Sequence, residues 1–432
     1  MSVVPPPAPD IAIAREKAPG PADAAGFWID DAHHRGWLAR NAIAQFDFFR
    51  ASTQAAQGFA TLDRAGIPLP CSVQELHTTT RLIHSYALGK LAGVPGCDEI
   101  IDRGMAYLTN HHRDPEFGGY VWALDGGRIH DGRKLAYGHV FALLAASSAS
   151  LAGHPDAADL ISGITEILDR RFWEADLGRF SDEWNRDWTP FSTYRGMNAN
   201  MHGVEALLAA FEATGSEIHL DRAGRILDFF MRSIAPGNDW RLPEHYDEQW
   251  RADREYRGDP VFRPPGTTPG HSFEMARLLL HHWDLRGRPA DGSPDIARNV
   301  VYQALKNGWN EEGGGLVYTL DEDGNAANRT RFWWPVTEAI GALASLVKLD
   351  RRREDELWYR AMWQFASGHF VDHEGGGWFP EIDSEGMPAQ SQFKGKPDIY
   401  HSLQAALFPL APGLSRLAGN MPEIGRIAKG SA

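Results

Sequence analysis

The chain has 432 residues, 43% of them hydrophobic, and a formal net charge of −14. That acidity and the lack of a long basic run argue against a nucleic-acid partner, and no run of about 18 apolar residues offers a membrane span. Cys71 and Cys97, the two cysteines, are too few for a disulfide scaffold and lack the CxxC spacing of a zinc site.

At the N-terminus, "MSVVPPPAPDIAIAREKAPGPADAAG" has no apolar core behind a basic start, so it does not read as a signal peptide. Its Pro and Ala content predicts a disordered tail over residues 1–26, followed by a single domain over 27–432 and a cytoplasmic location. Helical periodicity then recurs to the end of the chain. It predicts twelve helices at about 28–51, 77–93, 97–112, 134–153, 156–172, 196–214, 219–233, 270–285, 293–309, 334–349, 354–370 and 398–411. Segments between them, such as "EFGGYVWALDGG" and "GGGWFPEIDSEG", combine glycine turns with short alternation, the pattern of small β-hairpins. A helix–loop–helix unit is therefore repeated about six times.

Even-numbered helices, such as "YGHVFALLAASSASLAG" and "WPVTEAIGALASLVKL", are apolar on nearly every side and should be buried all round. Odd-numbered ones, such as "RREDELWYRAMWQFASGHF", keep a charged face. Six buried helices ringed by six amphipathic ones describe an all-α (α/α)6 barrel with short β-hairpins in its connections. An open helical array is the alternative.

Arg81, His139, His202, His271, Trp334 and His401 stand near the starts of the inner helices, with separations of 58, 63, 69, 63 and 67 residues. One such residue per repeat predicts that all six face the same mouth. Free amides and the dipole in a helix's first turn disfavour imidazolium, so histidines there are expected to be neutral near pH 7 and ready to take a proton. Trp333, Trp334, Tyr137, Tyr194 and Tyr400 offer an aromatic wall for a sugar ring, although filling the core is the ordinary use of such residues.

Other chemistries fit less well. A glycoside hydrolase needs two carboxylates across the scissile bond, and Glu274 and Glu338 are candidates, but histidine and arginine dominate the mouth. The HH pairs put neighbours on different helix faces, HExxH is absent, and "DEDGN" (321–325) lacks the later glutamate of a calcium loop, so no metal is expected. GxGxxG, GxxxxGK[ST] and GxSxG elements are also absent, leaving no support for a nucleotide cofactor or serine acyl transfer. A non-catalytic sugar-binding barrel has no need of several neutral histidines.

"YRGMNANMHGVEALLAA", "GTTPGHSFEMARLLL", "WWPVTEAIGAL" and "KPDIYHSLQAAL" resemble the N-acylglucosamine 2-epimerase superfamily, in the same order, from about Phe27 to the C-terminus. The resemblance implies an (α/α)6 barrel acting on a monosaccharide without metal or other cofactor. "RLPEHYDEQW" and the long loop to "TTPGH" look like the mannose and sulfoquinovose isomerase branch. That branch's sulfonate-holding glutamine is Pro397 here, which favours an unsulfonated sugar, while Arg263 in the long loop keeps contact with an anion open. Carried over by position, His271 and His401 match the catalytic pair. Arg81, Asn198, His202, Glu274 and Trp334 match substrate-contacting positions, as do Tyr137 and His139. The resemblance implies aldose–ketose isomerisation, with 2-epimerisation as the alternative. The family includes monomers and higher assemblies, and no sequence feature decides between a monomer and a homo-oligomer.

Overall fold

A computed structural model describes residues 2–21, 26–70, 73–259 and 261–430. Its helices are α1 (Ala32–Phe49), α2 (Leu76–Leu91), α3 (Cys97–Tyr107), α4 (Ala136–Leu151), α5 (Ala157–Arg171), α6 (Met197–Thr214), α7 (Glu217–Leu227), α8 (Pro269–Leu285), α9 (Ser293–Gly308), α10 (Trp333–Asp350), α11 (Arg353–His369), α12 (Tyr400–Leu410) and α13 (Leu417–Gly430). The even-numbered helices α2 to α12 form a closed inner ring, each against the next and α12 back against α2. Each outer helix covers the inner helix before it, and α1 covers α12, so the chain's first and last repeats are joined. The barrel is therefore closed.

Composition explains the two layers. Inner α4 buries thirteen of its sixteen residues, most of them Ala, Ser, Gly and Leu, whose small side chains allow close approach on all sides. Outer α7 buries only the stripe His219, Leu220, Ala223, Ile226 and Leu227, spaced three and four apart.

The connections ahead of the inner helices form a crown. Val73–Glu75 pairs with Ala123–Asp125, Lys134–Leu135 with Glu183–Trp184, Arg195–Gly196 with His245–Tyr246, and Arg331–Phe332 with Glu381–Ile382. Bridges Thr267–Leu320 and Leu62–Lys396 complete the circle. The expected local hairpins do occur, as at Thr319–Leu320 with Ala326–Asn328, but the pairs between neighbouring repeats hold the crown together. Buried cations brace its turns. The Lys134 ammonium meets Asp114 at 3.0 Å and the Gly118 carbonyl, Lys396 meets Asp372 at 2.7 Å and the Gly376 carbonyl, and Arg331 reaches the Gly313 and Gly314 carbonyls at 3.0 and 3.2 Å.

Residues 2–21, expected to be a disordered tail, run along the outer layer. The Val3 amide donates to Asn299, Trp358 to the Pro6 carbonyl, Ser367 to the Lys17 carbonyl and Trp28 to the Pro21 carbonyl. Val3, Ala8 and Ile11 pack on the core. Composition alone did not show that α9, α11 and the start of the barrel offer partners to an extended, proline-rich strand. Residues 1 and 22–25 of that stretch, and Cys71, lie outside the described residues; Cys97 is buried and free. Helix α13, unforeseen because "LAGNMPEIGRIAKG" is rich in Gly and holds Pro422, lies against α1, α2 and α12. Gly425 permits this contact, since a Cβ there would meet the Ala92 carbonyl oxygen at 1.9 Å. Among the described residues no helix is long and apolar enough to cross a membrane.

Candidate active site

The N-terminal ends of the inner helices open on a cavity of about 530 Å³, within the usual range of small-molecule sites. Helix phase decides what lines it. The second residues of the inner helices are His77, Tyr137, Asn198, Gly270, Trp334 and His401; the sixth are Arg81, Phe141, His202, Glu274, Glu338 and Ala405. Positions four apart share a helix face, so two tiers of side chains point toward the barrel axis. Every second residue except Gly270 lines the cavity, and so do Arg81 and His202 from the deeper tier. Gly270 makes room for a neighbour: a Cβ there would meet the Trp334 ring at 2.3 Å. His271 follows it, with its ring 4.9 Å from that indole, and His401 lies 6.0 Å away.

His139 is not at the mouth. As the fourth residue of α4 it points about 200° away from Tyr137. There it is fully buried, with Nδ1 at 2.8 Å from the Leu135 carbonyl and Nε2 accepting from the Tyr120 amide at 3.1 Å. Burial lowers its pKa to about 3. Tyr400 and Glu274 also lie behind the lining, both with no exposed surface.

Carboxylates back both candidate catalytic imidazoles. His271 Nδ1 lies 2.9 and 3.0 Å from the two Glu244 oxygens, and His401 Nδ1 lies 2.9 Å from Glu338. Because an ionised carboxylate only accepts, each Nδ1 carries a proton, and in the neutral ring each Nε2 then holds the lone pair. Glu338 also accepts from Arg277 at 2.9 Å. Arg81 donates to Asp398 and to the Tyr137 hydroxyl, both at 2.9 Å, with its guanidinium over the Phe141 and Tyr400 rings. Burial opposes its charge, but Tyr137, Asp398 and Tyr400 more than offset that and raise its pKa.

Behind the lining, burial and the neighbouring Glu338 charge push the Glu274 carboxyl well up, and neither of its oxygens has a hydrogen-bond partner. Burial lowers His202 to about 4. His202, Glu205 and Glu274 bring potential metal-ligand atoms within 4.8 Å of one another, although Arg277 lies 3.6 Å from Glu274 and places a positive charge beside them.

Along the outer wall the carboxyls of Glu75, Asp182, Glu183, Glu244 and Asp259 outnumber the guanidinium groups of Arg133 and Arg263. Arg263 does line the cavity, but it meets both Glu183 oxygens at 3.2 and 3.0 Å, so its charge is already matched by a carboxylate. His77 and Glu244 escaped the sequence reading, and Asp398, which opens the predicted helix 398–411, was not marked as a site residue. Counting back four residues from Arg81 would have found His77; Glu244 sits in a connection, where no periodicity marks it.

A family model for N-acylglucosamine 2-epimerase matches residues 58–405. The chain belongs to this family. It is 41% identical over 407 residues to a protein named D-mannose isomerase from Thermobifida fusca, covering 92% of this chain and 100% of that one. A second D-mannose isomerase, from Pseudomonas cannabina pv. alisalensis, is 37% identical, covering 91% and 97% of the two chains. A crystal structure of a D-mannose isomerase superposes with a TM-score of 0.82 at 31% identity, covering 87% of this chain and 97% of that one. The family's barrel is the fold described above.

Proposed function

We propose that this chain is an aldose–ketose isomerase interconverting D-mannose and D-fructose through a cis-enediol. The observation that carries the reading is the pair of carboxylate-backed imidazoles, His271 and His401, against one indole in a sugar-sized cavity. The relatives named D-mannose isomerase supply the substrate class.

His271 is assigned as the carbon base, because both oxygens of Glu244 face it. Its bare Nε2 takes the C2 proton while Glu244 stabilises the imidazolium, and the proton returns at C1 on the same face. Glu338 divides its charge between His401 and Arg277, and His401 is assigned to ring opening and to moving the proton between O1 and O2. Arg81, held cationic, stabilises the developing enediolate. Asn198, whose buried Oδ1 has no protein partner, and Trp334 bind the sugar. The acidic outer wall and the paired Arg263 favour a neutral sugar over an anionic one. No metal takes part in this scheme, so a chelator is expected to leave turnover unchanged.

His271 and His401 stand on different helices and could face a sugar from opposite sides. This, with the family's name, makes 2-epimerisation the second reading. The test is chromatographic product analysis with mannose. His271→Ala and His401→Ala should each lose about 10²–10⁴-fold in kcat with unchanged circular dichroism. An active His271→Ala would overturn the assignment.

A further inference from the structure

The reaction scheme leaves the buried carboxylate Glu205 unused, and it is the only acidic residue in "NANMHGVEALLAA". It lies three residues after His202 on α6, hence on the same face. One oxygen accepts from the Gln404 side-chain amide at 3.1 Å, and the other accepts from the Tyr400 hydroxyl. Gln404 reaches Glu205 from a second, smaller cavity of about 70 Å³ at the far end of the barrel, lined also by His84, Arg277 and His281. Most of its wall is apolar, including Leu88, Leu144 and Leu285, while the Gln404 carbonyl oxygen, Arg277 Nε and His281 Nε2 have no hydrogen-bond partner among the described residues. With donors from Gln404 and Tyr400 already on it, Glu205 acts as an acceptor toward the remaining neighbour.

That neighbour is His202. Its Nδ1 lies 3.5 Å from Glu205 Oε2 and 3.5 Å from Glu274 Oε1, at the outer limit of hydrogen bonding. Its ring packs on Tyr137 and Phe141 at 5.3 and 4.6 Å, and no hydrogen bond from the described residues engages Nε2. The charged and titratable groups around it include His77 and Arg81 from α2, Tyr137 from α4, Glu205 from α6, Glu274 and Arg277 from α8, and Tyr400 and His401 from α12. Two arrangements compete. A protonated Glu274 can donate to Nδ1, which puts the imidazole proton on Nε2. Alternatively, an ionised Glu205 accepts from Nδ1–H and leaves Nε2 bare. Burial alone would raise the Glu205 carboxyl, but His202 and then Arg277 and His84 hold it below the usual range.

We propose that Glu205 is a positioning residue that fixes His202 in its Nδ1–H tautomer, so that His202 offers the sugar a hydrogen-bond acceptor at Nε2. The claim that a sugar is what His202 meets rests on the isomerase reading. With it, one wall of the cavity becomes selective for a hydroxyl donor, a requirement set from behind the lining by a residue that touches no substrate.

Nitrogen-15 NMR of the histidine-labelled full chain at pH 7, without sugar, tests this, with His202→Gln assigning the resonance. The expected spectrum has a protonated Nδ1 and a bare Nε2 at His202. Glu205→Gln should disturb that pattern and lower kcat about 10- to 100-fold, the cost typical of removing the partner that orients a functional histidine. An Nε2–H tautomer in the unmodified chain overturns the proposal without any variant having to fold. So does an unchanged His202 pattern in Glu205→Gln, or a changed pattern with kcat and KM both unaltered. Failure of the isomerase reading looks different: no sugar is converted while the tautomer is as expected.

Discussion

A histidine's position along a helix does not settle its role; the direction in which it points does. His139 and His401 both begin inner helices, yet one is a core strut and the other lines the cavity, because successive residues turn by about 100°. Sequence separation placed Arg81, His202, His271, Trp334 and His401 in the right repeats but could not fix their phase, so it admitted His139 and passed over His77. His139→Ala should therefore cost about 2–4 kcal/mol of stability through a lost buried hydrogen bond and a cavity, with KM for the sugar unchanged; chemical denaturation and initial rates together check this. Gly270→Ala should act in the opposite way. Its new methyl must displace the Trp334 indole, so kcat/KM should fall at least about tenfold with little loss of thermal stability. A fully active Gly270→Ala would show that Trp334 has no fixed place in the site.

Among elements, the helices were legible because burial writes a period into them, whereas the crown was not. Its strands are two to four residues long, and their partners lie in neighbouring repeats, too short and too distant for a local pattern. The carboxylates that orient the imidazoles were hidden for two reasons. Glu244 comes from a connection, while Glu338 is on a helix and looked like a possible hydrolase acid. The buried braces carry a testable cost. Lys396→Met leaves Asp372 without its 2.7 Å partner and the Gly376 carbonyl without a donor, which should destabilise the chain by about 3–5 kcal/mol. The proline-rich start is a strap rather than a free tail, so removing residues 2–21 should lower the calorimetric unfolding temperature; an unchanged midpoint would mean that its contacts with α9 and α11 contribute nothing.

For the whole molecule, closure was legible because even-numbered helices such as α4 and α10 are apolar on nearly every side, and a ring with a second ring outside it buries them. The same closure buries several histidines in the neutral form. Burial lowers His34, His84, His112 and His202 to about 4 and His139 to about 3. Unfolded, each titrates near 6.5, so as pH falls below that value the unfolded chain takes protons first and stability is lost progressively toward pH 4. Asp182, raised to about 7 by burial, and the raised carboxyls of Glu75, Glu212, Glu274, Asp355 and Glu356 work in the other direction, but they are outnumbered, since burial also lowers His77, His219, His245, His281 and His282. Urea midpoints should consequently be lower at pH 5 than at pH 8.

The central claim is that the cavity moves a proton from C2 to C1 of a neutral aldose. Incubating mannose with the chain in D₂O and following the sugars by NMR tests it most directly. Fructose should appear first, carrying deuterium at C1 in the fraction of turnovers that exchange with solvent. Glucose appearing first, with deuterium at C2 and no fructose, would contradict it.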